Sequence, residues 1–196
     1  MSLSIEAIGP ERLAEYASVP SVIEVKSLFA VDESDCGVGR LEFHEQSIPV
    51  SYRKDYDSYG QGGPLEWPRR FDVSRWGFFL ASDSGETIGG AAVAQSTDGM
   101  DILDGRSDSA ALWDIRVRPT YQRHGIATAL FRVASRWAKS GGCSLLEIET
   151  QNVNVAACRF YAKMGCVLDR IDRLAYRQCR EIADDVMLVW RLDLSS

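Results

Sequence analysis

The chain has 196 residues, 45% of them hydrophobic and 26% charged. This is an ordinary globular composition, and residues 1–196 are expected to form one domain with a substantial core. A formal net charge of −6 disfavours nonspecific nucleic-acid binding and mildly favours a cationic partner. No apolar run approaches the ~20 residues that cross a membrane, and the opening Met-Ser-Leu-Ser-Ile-Glu lacks a basic segment followed by a hydrophobic one, so no membrane partner and a cytoplasmic location are expected.

Residues 4–8 read as a short strand. Gly9-Pro10 then opens a helical stretch over 11–17 with Leu13 and Tyr16 on one face, and 22–29 continue as a second helix. Asp32, Glu33 and Asp35 with Cys36-Gly37 mark a turn, after which 40–46 are extended. Residues 49–72 form an unusual loop in which Tyr52, Tyr56, Tyr59 and Trp67 stand among Gly60, Gly62, Gly63, Pro64 and Pro68, interspersed with Arg53, Lys54, Arg69 and Arg70. Long loops of this kind are functional or disordered as a rule. It reads either as a lid shaping a recognition site or as a surface excursion packing its aromatics on the body. Residues 76–81 and 87–95 are strands joined by a turn at Asp83-Ser84-Gly85-Glu86, and 96–109 are polar loop.

The segment 111–117 alternates, with Trp113, Ile115 and Val117 on one face and Leu112, Asp114 and Arg116 on the other, as a strand does. Arg118-Pro119 breaks it. A helical apolar series follows at Ile126, Ala129, Leu130, Val133, Ala134 and Trp137. Arg123 and His124 therefore open a helix where the macrodipole is already positive, a conflict that an anion would resolve. Gly125 permits close backbone approach, Ala127 is nearly as small, and the unpaired N–H groups of a first turn form an anion site. A pyrophosphate fits; a solvated basic turn is the plainer reading.

The helix stops at Gly141-Gly142, and 144–150 alternate again as a strand. Then comes a short helical run with Asn154 as N-cap, Ala157, Phe160 and Tyr161 within it, and Gly165 just past its end. Residues 167–171 and 186–192 are further strands.

These motifs resemble the GNAT N-acetyltransferase superfamily. Gln122, Gly125 and Ala127 match its phosphate loop, Gln/Arg-x-x-Gly-x-Gly/Ala, while Asn154, Ala157, Tyr161 and Gly165 match Asn-x-x-Ala-x-x-x-Tyr-x-x-x-Gly. Within it, residues 148–154 and 157–163, with Trp113-Asp114-Ile115 and Ala175-Tyr176, are similar to streptothricin acetyltransferases. The resemblance covers residues 111–176. It implies an α/β fold of the GNAT type, a central mixed twisted sheet with splayed central strands flanked by helices.

It also implies acetyl-CoA as cosubstrate and no metal. The backbone of Ile115, Arg116 and Val117 would receive the pantetheine arm, Asn154 would contact it, and the loop Gln122, Arg123, His124, Gly125, Ile126, Ala127 and Thr128 would enclose the pyrophosphate. Tyr161, placed at the start of its helix, would be the general acid for the leaving thiolate. Asp114 and Glu149, one on each central strand, are the candidates for base or for ammonium binding. The expected acceptor is a small-molecule amine, with a streptothricin-type antibiotic as the sharpest case, and a homodimer is compatible with the fold. Two other classes stay open: a peptide N-terminal or lysine acetyltransferase, and a non-catalytic acetyl-CoA sensor. Cys36, Cys143, Cys158, Cys166 and Cys179 are scattered and odd in number beside two histidines, so neither a disulfide framework nor a zinc site is expected. Buried structural thiols are favoured over a Cys-His pair.

Overall fold

The computed structural model describes residues 2–33, 41–58, 62–103 and 105–195. In chain order the elements are β1 (Leu3–Ile8), α1 (Leu13–Ala17), β2 (Val22–Glu33), β3 (Leu41–Asp55), α2 (Trp67–Arg70), β4 (Gly77–Asp83), β5 (Glu86–Gln95), β6 (Ser109–Val117), α3 (Ile126–Ser140), β7 (Leu145–Gln151), α4 (Val155–Lys163), β8 (Val167–Asp172) and β9 (Met187–Asp193). Seven strands form one mixed sheet in the order β1-β4-β5-β6-β7-β9-β8, and β2 and β3 form a second, two-stranded sheet. The mixed α/β architecture expected from the motifs is therefore present.

The chain divides into two compact units, one of Met1–Ser21, Asp55–Glu149 and Arg191–Ser196, the other of Val22–Lys54 and Thr150–Trp190. In the first, β1 pairs with β4, β4 with β5 and β5 with β6, all antiparallel. Helix α3 covers β4, β5 and β6. It does so through Ile126, Leu130, Phe131, Ala134 and Ala138, all buried, at the three-to-four-residue spacing of an amphipathic helix. Burying side chains the size of Leu130 or Phe131 stabilises by about 1.5–3 kcal/mol each. The close approach is allowed by Gly89, where an added Cβ would lie 3.2 Å from Leu130 Cδ1. The second unit holds the β2/β3 sheet, α4 and β8.

Two expectations are corrected here. Residues 22–29, expected as helix, are strand: β2 runs through them and on through Asp32 and Glu33, where a turn had been expected. The β-branched Val22, Ile23 and Val25, with Ile23 and Val25 alternating against Glu24 and Lys26, suit a pleated surface. The rest of that turn, with Asp35, Cys36 and Gly37, and Arg40 of the extended stretch lie outside the described residues, as do Tyr59 and Gly60. The segment 49–72 is not one loop: it begins as the last part of β3, with Pro49 tolerated because a two-stranded sheet consists of edges. It then passes through a 3-10 turn at Tyr56–Ser58 and ends in α2, where Trp67 is only 2% exposed.

Candidate functional site

The turn before α3 leaves the helix N-terminus without a side-chain cap. Gly125 is the N-cap and sits in the left-handed region at φ +82°, a conformation that favours glycine, and no side chain caps the helix. Arg123 is also left-handed, at φ +65°. The Ala129 N–H is bonded to the Gly125 carbonyl at 3.0 Å, so the N–H groups of Ile126, Ala127 and Thr128 precede the first helical bond and point out of the helix end. Gln122, Arg123, His124 and Gly125 are exposed. The loop is tied to β6 because Gln122 Nε2 donates to the Val117 carbonyl at 3.3 Å, and the His124 ring bonds the Gln122 carbonyl at 2.8 Å through Nδ1.

Beside it the sheet opens. Strands β6 and β7 pair in parallel through Ser109, Ala110 and Ala111 with Leu145, Leu146 and Glu147. Among the described residues that pairing goes no further, although β6 runs on to Val117 and β7 to Gln151. The backbone of Ile115, Arg116 and Val117 thus has a sheet partner on the β5 side only. The strict alternation expected for β6 also fails. Ala92 pairs with Asp114 but Val93 with Leu112, so Trp113 is the extra residue of a bulge. Bulges re-aim side chains, and here both the Trp113 ring and the Arg116 guanidinium meet Trp67.

Arg116 does not offer its side chain to a cofactor; any such contact would come from its backbone. The guanidinium is buried in a fork between two carboxylates, Nε and Nη2 to Asp114 at 2.8 and 3.0 Å, Nη1 and Nη2 to Asp57 at 2.8 and 2.9 Å. Nη1 also donates to the Val19 carbonyl at 3.0 Å. Burial opposes the charge, but attraction and hydrogen bonds from Asp114 and Asp57 outweigh it and raise the arginine pKa. Tyr16 Oη donates to Asp114 Oδ2 at 2.6 Å. Burial, reinforced by the Asp114 charge, pushes that phenol well above its ordinary value, so it is neutral at physiological pH. Asp114 is accordingly held by two donors, whereas Glu149 is exposed on β7.

In the second unit, Asn154 caps α4 by accepting from the Ala157 N–H at 3.2 Å. Gly165 is left-handed at φ +88° just beyond the helix, as expected of a C-terminal glycine. Tyr161 is buried, its ring 5.5 Å from Phe160 and 6.5 Å from Trp190. It lies toward the C-terminal end of Val155–Lys163, not at the start of the helix as the motif had suggested. Cys158 and Cys166 are buried, which pushes both thiols up to about 12 and keeps them protonated and inert.

Three groups carry weight that sequence reasoning did not assign. Asp57 is held by Arg116 from 59 residues away. Asn152 bonds Phe29 and the Val186 N–H. Lys54 and Asp185 form a buried ion pair. Each stands among other polar residues in the sequence, so nothing local singles it out; their partners are set by tertiary pairing.

The sequence model of the acetyltransferase (GNAT) family matches residues 42–166. A streptothricin acetyltransferase of Escherichia coli is 29% identical over 185 residues, covering 94% of this chain and 92% of that protein. Among solved structures, a Bacillus anthracis str. Ames protein assigned as a streptothricin acetyltransferase, in complex with acetyl coenzyme A, superposes with TM-score 0.75 at 26% identity, covering 98% of this chain and 99% of its own. Nourseothricin acetyltransferase shares the fold with TM-score 0.77 at 20% identity, covering 99% of each chain. A match across more than half of the sequence, on a sheet that opens between β6 and β7 beside an uncapped α3, means that the chain belongs to the GNAT acetyltransferase family.

Proposed function

We propose that the protein transfers the acetyl group of acetyl-CoA to a primary amine of a small cationic acceptor, with a streptothricin-type antibiotic as the favoured substrate. The observation that carries the cofactor half is the open β6 edge running into the uncapped N-terminus of α3. The relatives named for streptothricin and nourseothricin favour the acceptor half.

On this reading the pyrophosphate rests on the N–H groups of Ile126, Ala127 and Thr128, with Arg123 supplying charge. The pantetheine arm adds to β6 along Ile115, Arg116 and Val117, and Asn154 contacts it. Holding the thioester in line with the amine supplies much of the rate. The neutral amine attacks the thioester carbonyl, a C–N bond forms, and the C–S bond breaks as the tetrahedral intermediate collapses. Tyr161 gives its proton to the departing thiolate and takes one back from the newly acylated nitrogen, which sheds its second proton as it becomes the amide. Glu149, directly or through water, takes the proton that the ammonium must lose. Asp114, already bonded to Arg116 and Tyr16, fits that last role less well.

The test is thiol release from acetyl-CoA by the pure protein with streptothricin, aminoglycosides, polyamines and peptides. Efficient acetylation of streptothricin, with resistance on expression in a susceptible bacterium, is expected. Turnover of peptides alone would refute the acceptor assignment.

A further inference from the structure

The bulge in β6 lies within a cluster of six aromatic rings. Trp113 meets Phe71 at 5.2 Å, Trp76 at 5.5 Å and Trp67 at 6.5 Å, each edge to face. Trp67 in turn stacks on Phe78 at 6.4 Å and meets the edge of Tyr16 at 5.6 Å. Tyr16, Trp67, Trp76 and Phe78 are buried, while Phe71 and Trp113 are half-buried. Arg116 stands behind this cluster, its guanidinium 5.4 Å from the Tyr16 ring centroid and 6.0 Å from that of Trp67.

A buried guanidinium is costly unless every hydrogen bond is met. Here Asp114 binds it from the bulged strand and Asp57 from the segment leading to Trp67 and Phe71, so one cation ties the two halves of the aromatic cluster together. The Asp57 side chain is 29% exposed. Two carboxylates against one guanidinium leave a net charge of −1, since Tyr16 remains neutral. Half-buried aromatic rings near an excess negative charge suit an organic cation.

We infer that Phe71 and Trp113 form the face that receives the cationic acceptor, and that Arg116, by joining Asp57 to Asp114, is the positioning residue that holds it. The inference rests on the reading of the acceptor as a small cation, and it makes Asp114 part of the scaffold of the site. It also makes the described part of the 55–72 segment a fixed wall.

The experiment is calorimetric titration of streptothricin, and separately of spermidine, into the CoA-saturated protein, which needs no turnover. Trp113→Leu and Phe71→Leu should each weaken cation binding about tenfold, the loss of one partly desolvated cation–π contact, while Trp113→Phe retains most of it. Asp57→Asn should weaken it comparably, and Asp57→Asn with Trp113→Leu should lose less than the product of the single effects. CoA affinity and far-UV circular dichroism should stay native throughout, a split that general loss of structure would not give. Equal streptothricin binding by wild type, Trp113→Leu and Asp57→Asn would overturn the inference and leave the acceptor reading standing. Parallel loss of CoA and acceptor binding would overturn it too. Wild-type binding of spermidine but not streptothricin, with the same losses in the variants, would support the inference and refute only the antibiotic. A wild type that binds neither cation would refute both.

Discussion

Phe29 and Asn152 clasp one another: the Phe29 N–H donates to the Asn152 carbonyl at 2.9 Å, and Asn152 Nδ2 donates to the Phe29 carbonyl at 3.0 Å. Asn152 Oδ1 accepts from the Val186 N–H at 2.9 Å, so one buried amide joins β2 to the segment entering β9. Asn152→Ala would strip partners from both backbone groups, and the expected destabilisation is about 2–4 kcal/mol. Urea unfolding measures it; an unchanged midpoint would mean that water replaces the amide without loss.

Gly125 tests the phosphate loop. Space is open around it, with no heavy atom within 4 Å of an added Cβ, but its φ of +82° strains any other residue. Gly125→Asp should also place a negative charge where the pyrophosphate is proposed to rest. Acetyl-CoA affinity is expected to fall at least about tenfold with a native circular dichroism spectrum, and calorimetry decides. Undiminished affinity would move the cofactor elsewhere.

Tyr161→Phe removes one hydroxyl from a ring that is packed beside Phe160 and Trp190. If that hydroxyl protonates the thiolate, kcat falls roughly 10²–10⁴-fold and the Kd for acetyl-CoA holds. Retention of wild-type kcat would reduce the residue to packing.

The two carboxylate candidates should differ in kind. Glu149 is exposed, so Glu149→Gln should change stability by no more than about 1 kcal/mol while lowering kcat or raising KM for a cationic acceptor. Asp114→Asn breaks a buried pair with Arg116, and about 3–5 kcal/mol of stability should go with it. If Asp114→Asn leaves the urea midpoint unchanged yet removes the acidic limb from the pH–rate profile, Asp114 is the base.

Alkaline pH should unfold the protein through its buried neutral acids. Burial raises Cys158 and Cys166 from an ordinary value of 9.0 to about 12, and burial with the Asp114 charge raises Tyr16 above 10.0. A group whose folded value is raised contributes stability that is complete below its unfolded value and lost as pH climbs toward the folded one. Urea midpoints should therefore match at pH 7 and 8 and decline from about pH 9 upward. The decline should be shallower in Tyr16→Phe; an equal slope would exclude Tyr16 as a contributor.

The legible parts of the chain were those whose signals are local. The spacing from Ile126 to Trp137 marked α3, and Gly125, Asn154 and Gly165 marked helix ends through backbone requirements that a few neighbouring residues reveal. Residues 22–29 misled because Val22, Val25 and Phe29 also fit a helical spacing, and only pairing in the second sheet decides the matter. Trp67 looked like a loop aromatic because the rings that bury it come from α1, β4 and β6. The alternation of β6 placed Asp114 and Arg116 on one face, as they are, but a bulge is defined against the opposite strand and no single strand announces it.

The parting of β6 from β7 leaves unpaired backbone in the interior of a sheet, not at its rim. Unpaired rims invite other chains and aggregation, but this opening has a strand on either side. A pantetheine arm bound there as proposed would close a break in the hydrogen-bond ladder, so that binding and folding would share the same bonds. Saturating CoA should accordingly slow amide exchange of Ile115 and Val117, and it should raise the melting temperature as the logarithm of its concentration.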